Sequence, residues 1–307
     1  MKWTEADIPD QSGRTALVTG ANSGLGLRTA RVLAGRGALV LMGCRSPERG
    51  RDAVRDVLAS GGRAELVALD LADLSSVRAA AEAVRERTGD AVDLLINNAG
   101  VMAVPPGLTA DGFERQFGTN HLGHAALTWL LMPALRGRPG ARVVTVSSLA
   151  HRSGALDLAD PNSTTRPYSS WGAYGQSKLA NLLFARELDR RLRAAGADVT
   201  SVAAHPGLTN TELSANMARA HRSRFLDVGS KVVGLISQSV ERGTLPQLYA
   251  ATAAEVRPGA YYGPDGFREV RGGPAPASSS KASRDESAAR ALWDLTAELT
   301  GITPDPA

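Results

Sequence analysis

Cysteine is almost missing: Cys44 is the sole one in 307 residues. No intrachain disulfide can form, and nothing in the cysteine usage points to an oxidising compartment. A long apolar run is missing too. The longest uncharged apolar-rich stretch, about 120–135, contains two histidines and a proline and is shorter than the ~20 residues a membrane span needs. The N-terminus, Met-Lys-Trp-Thr-Glu-Ala-Asp, has acids where a signal peptide would carry its apolar segment. Nor is there a block of one charge sign. The net charge is +4, and Glu187 and Asp189 interrupt the basic run of Arg186, Arg190, Arg191 and Arg193. That pattern describes a solvated helix face rather than a stripe for phosphates. These absences predict a soluble, cytoplasmic protein with neither nucleic acid nor membrane as a partner.

What is present is an ordinary globular composition, 43% apolar and 21% charged, with 32 glycines. Short apolar runs alternate with helical patterns. Strands are expected at 15–19, 38–43, 64–69, 92–96, 142–146 and 198–203. Helices are expected at 25–36, 47–60, 74–87, 113–135 and 173–193. This β-α-β-α order predicts the α/β class: a Rossmann-type doubly wound domain with a central parallel sheet and helices on both faces. With no long linker before about residue 270, a single domain over 1–307 is expected, its core at about 12–270. Connections 152–171 and 208–240 are long enough to be lids. A tail helix is expected at about 284–299, opened by a capping box of Ser283 and Glu286.

After the first strand comes Thr19-Gly20-Ala21-Asn22-Ser23-Gly24-Leu25-Gly26. Glycines at a strand-to-helix turn let the backbone approach a pyrophosphate, and the helix start offers free N–H groups. An ordinary tight turn is the alternative. Past the second strand, Cys44-Arg45-Ser46 stands where an acid would bind the adenosine ribose. Arg45 can pair with a phosphate through its planar fork, which favours NADP over NAD; a plain surface arginine is the other reading.

Tyr174 and Lys178 lie four residues apart, on one face of a helix. A phenol titrates near 10, and an adjacent ammonium favours the phenolate, so the pair can move a proton to or from a substrate oxygen. Taken alone the spacing is common on solvated helices. Ser147-Ser148 follows a buried strand, where α/β folds bind ligands, or where a turn serine simply sits. Asn97-Asn98-Ala99-Gly100 ends the fourth strand, and for Asn98 a structural role is preferred. Asn120 is a poor helix former within an apolar helix, which suits a polar task.

Five elements then coincide in chain order: Thr-Gly-x-x-x-Gly-x-Gly, Asn-Asn-Ala-Gly, the serine pair, Tyr-x-x-x-Lys and Pro206-Gly207. Over about residues 12–270 the chain resembles the short-chain dehydrogenase/reductase family. The stretches 120–124, 147–151 and 174–181 look most like its retinol-dehydrogenase-like branch. The resemblance implies Tyr174 as acid/base, Lys178 lowering its pKa and binding the nicotinamide ribose, and Ser148 positioning the substrate oxygen. It makes Asn120 the holder of a relay water. Gly20, Asn22, Ser23, Gly24, Leu25 and Gly26 would line the pyrophosphate. Arg45, Asp70, Leu71, Asn98, Ala99 and Gly100 would line the adenosine side. Pro206, Gly207 and Thr211 would meet the nicotinamide end.

The implied activity is hydride transfer between NADPH and the carbonyl of a bulky, apolar ketone or aldehyde, or the reverse alcohol oxidation. The alternative is an NADP-binding sensor or scaffold without turnover. No metal is expected: His121 and His124 lie three apart on one helix, a spacing compatible with metal ligation, but no Cys, Asp or third His accompanies them, so packing is the expectation. His151 and His205 are expected to act through their backbone. Pairing into a homodimer or homotetramer through helices 113–135 and 173–193 is implied by the family, burial of those faces within one subunit being the other reading.

Overall fold

The computed structural model describes residues 2–209 and 237–306. Thr211 and most of the expected lid at 208–240 lie outside them. Among the described residues, eight strands form one sheet in the order β3-β2-β1-β4-β5-β6-β7-β8. They are β1 (Thr15–Thr19), β2 (Leu39–Cys44), β3 (Arg63–Ala68), β4 (Leu94–Asn97), β5 (Ala141–Val146), β6 (Val199–Ala204), β7 (Tyr261–Pro264) and β8 (Pro274–Pro276). All neighbours pair in parallel except β7 and β8, which run antiparallel. Strands β1, β2 and β4 are buried almost end to end, as strands covered on both faces must be. The chain reverses its progress across the sheet between β1 and β4. That is the switch point where open α/β sheets bind ligands.

Helices cover both faces: α1 (Gly24–Gly35), α2 (Pro47–Ala59), α3 (Leu74–Thr88), α4 (Arg115–Phe117), α5 (Gly123–Arg136), α6 (Ser170–Ala194), α7 (Val240–Thr252) and α8 (Glu286–Thr300). Several starts have a visible local cause. Ser46 accepts from the Arg49 amide ahead of Pro47, and Asp73 accepts from the Ser75 and Ser76 amides. The expected helix at 113–135 runs unbroken from Arg115 to Arg136 but includes a π-helical turn, Gly118–Leu122, between α4 and α5.

Two expectations about the tail need correction. The N-cap of α8 is Asp285, whose carboxylate accepts from the Ala288 amide at 3.0 Å. Ser283 is buried in the preceding turn, donates to the Ser280 carbonyl and receives Arg186. The core also reaches past 270. Leu292, Trp293 and Ile302 are buried, and Trp293 and Ile302 share one cluster with Leu95, Trp129 and Phe184. Trp293 stacks on Phe184 at 5.4 Å and meets Trp129 edge-on at 4.9 Å. Helix α8 thus packs through Trp293 against Trp129 of α5 and Phe184 of α6. Among the described residues, no helix is long and apolar enough to cross a membrane.

Candidate active site

The glycine turn leaves β1 with Gly20 at φ +65° and enters α1 with Gly24 at φ +53°, both in the region that favours glycine. Ser23 caps α1 with no side-chain hydrogen bond to the helix. The first N–H groups of α1 thus point outward with no intrahelical acceptor, a cradle for an anion. Gly26 does something else. A Cβ there would fall 2.3 Å from the Gly20 carbonyl oxygen and 2.6 Å from Asn98 Nδ2, so this glycine lets α1 press against the turn. Asn22 and Leu25 flank the turn, half-buried. Arg45 follows β2 and is exposed; among the described residues its guanidinium has no hydrogen-bond or ion-pair partner. Asp70 turns its carboxylate to the Ala72 amide at 3.0 Å, and Leu71 is buried against Gly123.

At the end of β4 the polar groups interlock. The Asn98 side-chain amide donates to the Thr19 carbonyl at 2.8 Å, and the Asn98 and Ala99 backbone amides both donate to the Thr19 hydroxyl at 2.9 Å. That hydroxyl also meets His124 Nε2 at 2.9 Å, while His124 Nδ1 meets the Asn120 carbonyl at 2.9 Å. A carbonyl only accepts, so Nδ1 carries the proton and the Thr19 hydroxyl donates to Nε2. Burial pushes the His124 pKa down to about 4 and keeps the ring neutral. The ring therefore acts through both nitrogens, not through packing alone. His121 faces elsewhere, toward Thr296 at 2.8 Å.

The π-turn presents Asn120 to the same loop. Its Oδ1 accepts from the Val101 amide at 2.8 Å, and its Nδ2 donates to the Val101 carbonyl and to Ser177 Oγ, each at 2.9 Å. Both amide hydrogens are thus committed to holding the 99–101 loop and α6. A water can meet only the lone pairs left on Oδ1 and on the backbone carbonyl. Gly100 closes the group: a Cβ on it would sit 3.1 Å from Asn120 Oδ1 and 3.5 Å from Lys178 Nζ.

Tyr174 and Lys178 both lie buried on α6, and Ser148 stands just past β5 on the neighbouring segment. Lys178 Nζ donates to the Val146 carbonyl at 3.1 Å and lies 5.8 Å from the Tyr174 ring centroid. Burial brings the Lys178 pKa down to about 8. The expected drop at Tyr174 does not follow in the protein alone. Burial raises its phenol, and the group that opposes this is the Ser148 side chain, not the ammonium. Trp171, exposed, meets the Tyr174 ring edge-on at 6.1 Å.

Past β6, Gly207 has φ +65°, and a Cβ there would lie 2.3 Å from the Val270 carbonyl oxygen. The Pro206 carbonyl accepts from Thr209 Oγ1 at 2.8 Å and from Gln238 Nε2 at 2.7 Å. The two histidines expected to act through their backbone act through their rings. His151 Nδ1 donates to the Ser148 carbonyl at 2.7 Å, and His205 Nδ1 accepts from the Gly207 amide at 3.2 Å. Thr19, Ser177, Gln238 and these rings are not legible in the sequence as site residues, because each acts on a partner with no fixed spacing from it.

The structure thus brings the glycine turn, the 97–100 loop, Asn120, Ser148, Tyr174 and Lys178 to the carboxyl ends of β1, β4 and β5. The chain is similar to known proteins. Residues 14–222 match the family model for short chain dehydrogenase. Human retinol dehydrogenase 13 is 41% identical over 97% of this chain and 87% of its own length. Mouse polyprenol dehydrogenase is 42% identical over 96% of this chain and 86% of its own. A crystal structure from Mycobacterium paratuberculosis superposes with a TM-score of 0.82 at 45% identity, covering 98% of both chains. One from Beutenbergia cavernae, described as an NAD(P)-dependent gluconate 5-dehydrogenase with bound NADP, gives a TM-score of 0.64 at 27% identity, covering 81% of this chain and 94% of its own. The chain belongs to the short-chain dehydrogenase family, within which it is similar to the retinol dehydrogenases. It is an oxidoreductase of the class that works with NAD(P).

Proposed function

We propose that this protein reduces the carbonyl of a bulky, apolar ketone or aldehyde with NADPH, or runs the reverse alcohol oxidation. The observation that carries the reading is the buried Tyr174 phenol with the Ser148 side chain against it and the Lys178 ammonium 5.8 Å from its ring centroid, past the carboxyl end of β5. The fit to a dinucleotide rests on the uncapped start of α1, the positive-φ glycines and the exposed guanidinium of Arg45. Gly20, Ser23, Gly24 and Leu25 would hold the pyrophosphate, and Arg45 the phosphate that distinguishes NADP from NAD. Pro206 and Gly207 would flank the nicotinamide, with Asn98, Ala99 and Gly100 on the ribose side. The cofactor supplies the hydride. Ser148 orients the substrate oxygen toward Tyr174, which gives its phenolic proton to that oxygen. A pKa of about 8 leaves Lys178 mainly charged at neutral pH. Among the described residues its Nζ bonds only the Val146 carbonyl, which leaves two N–H groups to hold a ribose and to stabilise the phenolate left behind. Asn120 braces the loop that carries Gly100. The apolar substrate class follows the names of the relatives, retinol and polyprenol dehydrogenases.

The test is NADPH oxidation with a panel of long-chain and cyclic ketones and aldehydes, wild type against Tyr174→Phe. The variant should lose about 10²–10⁴-fold in kcat, the range for positioned acid–base groups, while its NADPH affinity holds. A fully active Tyr174→Phe enzyme sinks the mechanism, and wild-type protein that binds NADPH without oxidising it over the whole panel supports a sensor instead.

A further inference from the structure

Behind the site lies a polar cluster that the proposed chemistry does not use. Its centre is Glu269, in the turn after β7. Arg268 and Glu269 both adopt positive φ, +52° and +59°, a conformation that non-glycine residues hold only where the surroundings enforce it. Each carboxylate oxygen of Glu269 is fully engaged. Oε1 accepts from the Ser278 amide at 2.8 Å and from the Ser278 hydroxyl at 2.6 Å. Oε2 accepts from Arg152 Nη2 at 2.8 Å and meets His205 Nε2 at 3.2 Å.

The two partners of Oε2 belong to different parts of the site. Arg152 ends the short turn Leu149–Arg152 whose N-cap is Ser148. His205 immediately precedes Pro206 and Gly207. Its Nδ1 accepts from the Gly207 amide, so its Nε2 carries the ring's one proton and donates it to Glu269. Space for the ring is built in: a Cβ at Gly263 would lie 1.9 Å from His205 Nε2. The next residue after Glu269, Val270, completes the contact, because its carbonyl receives the Leu208 amide at 2.8 Å. One carboxylate oxygen thus ties the segment carrying Ser148 to the turn carrying Gly207.

We propose that Glu269 is a positioning residue that fixes the substrate-orienting Ser148 segment, through Arg152, relative to the Pro206–Gly207 turn, through His205. The proposal rests on the functional reading above, in which Ser148 serves catalysis and the Pro206–Gly207 turn meets the cofactor. Glu269→Gln can keep an oxygen for the Ser278 amide and hydroxyl. The decisive change is then on the Oε2 side, where an NH₂ group confronts two donors, the Arg152 guanidinium and His205 Nε2–H.

The experiment compares the full-length wild type with Glu269→Gln, Arg152→Gln and His205→Asn. It measures NADPH affinity by fluorescence titration, kcat with a saturating carbonyl substrate, and Tm. His205→Asn can still offer an oxygen to the Gly207 amide but loses the link to Glu269. Arg152→Gln should lower kcat and spare NADPH affinity, and His205→Asn should do the opposite. Glu269→Gln should lower both, each by about tenfold, the size of one lost hydrogen bond to a charged group. Combining Glu269→Gln with His205→Asn should cost no further affinity. Unchanged kcat and affinity in Glu269→Gln, or additive losses in the double variant, overturn the proposal. If Glu269→Gln does not fold, identical profiles for Arg152→Gln and His205→Asn overturn it equally. Wild-type protein that fails to bind NADPH defeats the functional reading itself, a result distinct from an active wild type whose Glu269→Gln variant is unaltered.

Discussion

At the scale of single residues the site is a contest between burial and partnership. Tyr174 and Lys178 are both removed from water, and burial alone drives each toward its neutral form. In the proposed mechanism the phenol thereby keeps its proton until a substrate oxygen takes it. Arg45 is the opposite case, an exposed cation whose task depends on what binds beside it. Replacing it by alanine should weaken NADPH binding by about ten- to a hundredfold, the range for one charge-assisted contact, and leave NADH affinity alone. Parallel titrations with the two nucleotides measure this. Equal affinities of wild type for NADPH and NADH would remove the ground for assigning the phosphate to Arg45. The glycine turn, the 98–100 loop, Asn120, Ser148, Tyr174 and Lys178 do meet in space, because a parallel sheet delivers successive strand ends to one edge. No motif gives comparable access to His124 or Glu269. His124 works by joining the Asn120 carbonyl to Thr19, and Glu269 by joining Arg152 to His205. Such links depend on which loops the fold brings together.

At the scale of elements, two glycines of α1 make the physics of helix packing testable in one helix. Gly26 faces the Gly20 carbonyl and Asn98, with no room for a methyl group, whereas a Cβ on Gly35 would meet nothing within 4 Å. Gly26→Ala should cost about 1–3 kcal/mol, as overpacking does, and weaken nucleotide binding by displacing the turn. Gly35→Ala should stabilise by about 0.5–1 kcal/mol, because alanine has less freedom to lose. Urea denaturation of both variants decides, and equal effects would refute the packing role given to Gly26. Most elements through β6 are readable from periodicity to within a few residues, since their apolar runs and caps are local. The π-turn at Gly118–Leu122 is not: its extra residue shows in a hydrogen-bond register, not in composition. The cap of α8 escapes a local reading for a related reason, as Ser283 and Asp285 both suit a cap and tertiary contact with Arg186 claims the first.

At the scale of the whole molecule, the same burial that prepares the site makes the fold sensitive to acid. His121 and His124 are enclosed between the sheet and the helices, with pKa values pushed down to about 3 and about 4. His205 is lowered as well, by burial that outweighs the pull of Glu269. In the unfolded chain each would titrate near 6.5. Between pH 6.5 and 4 the unfolded state therefore binds protons that the folded state refuses, and stability must fall as the pH falls. The limit is about 1.4 kcal/mol per pH unit for each histidine. Lys178 acts at the other end. Its folded value of about 8 lies below the ordinary 10.5, so the cost of burying its charge is present below pH 8 and fades as the pH rises from there toward 10.5. Urea midpoints measured from pH 9 down to pH 5 should thus decline, with the steepest loss below 6.5. His124→Asn, which keeps a donor for the Asn120 carbonyl but cannot take up a proton, should flatten the acid limb by about one histidine's share. A wild-type stability that stays level between pH 6.5 and 5 would mean that these rings are not held neutral by the fold.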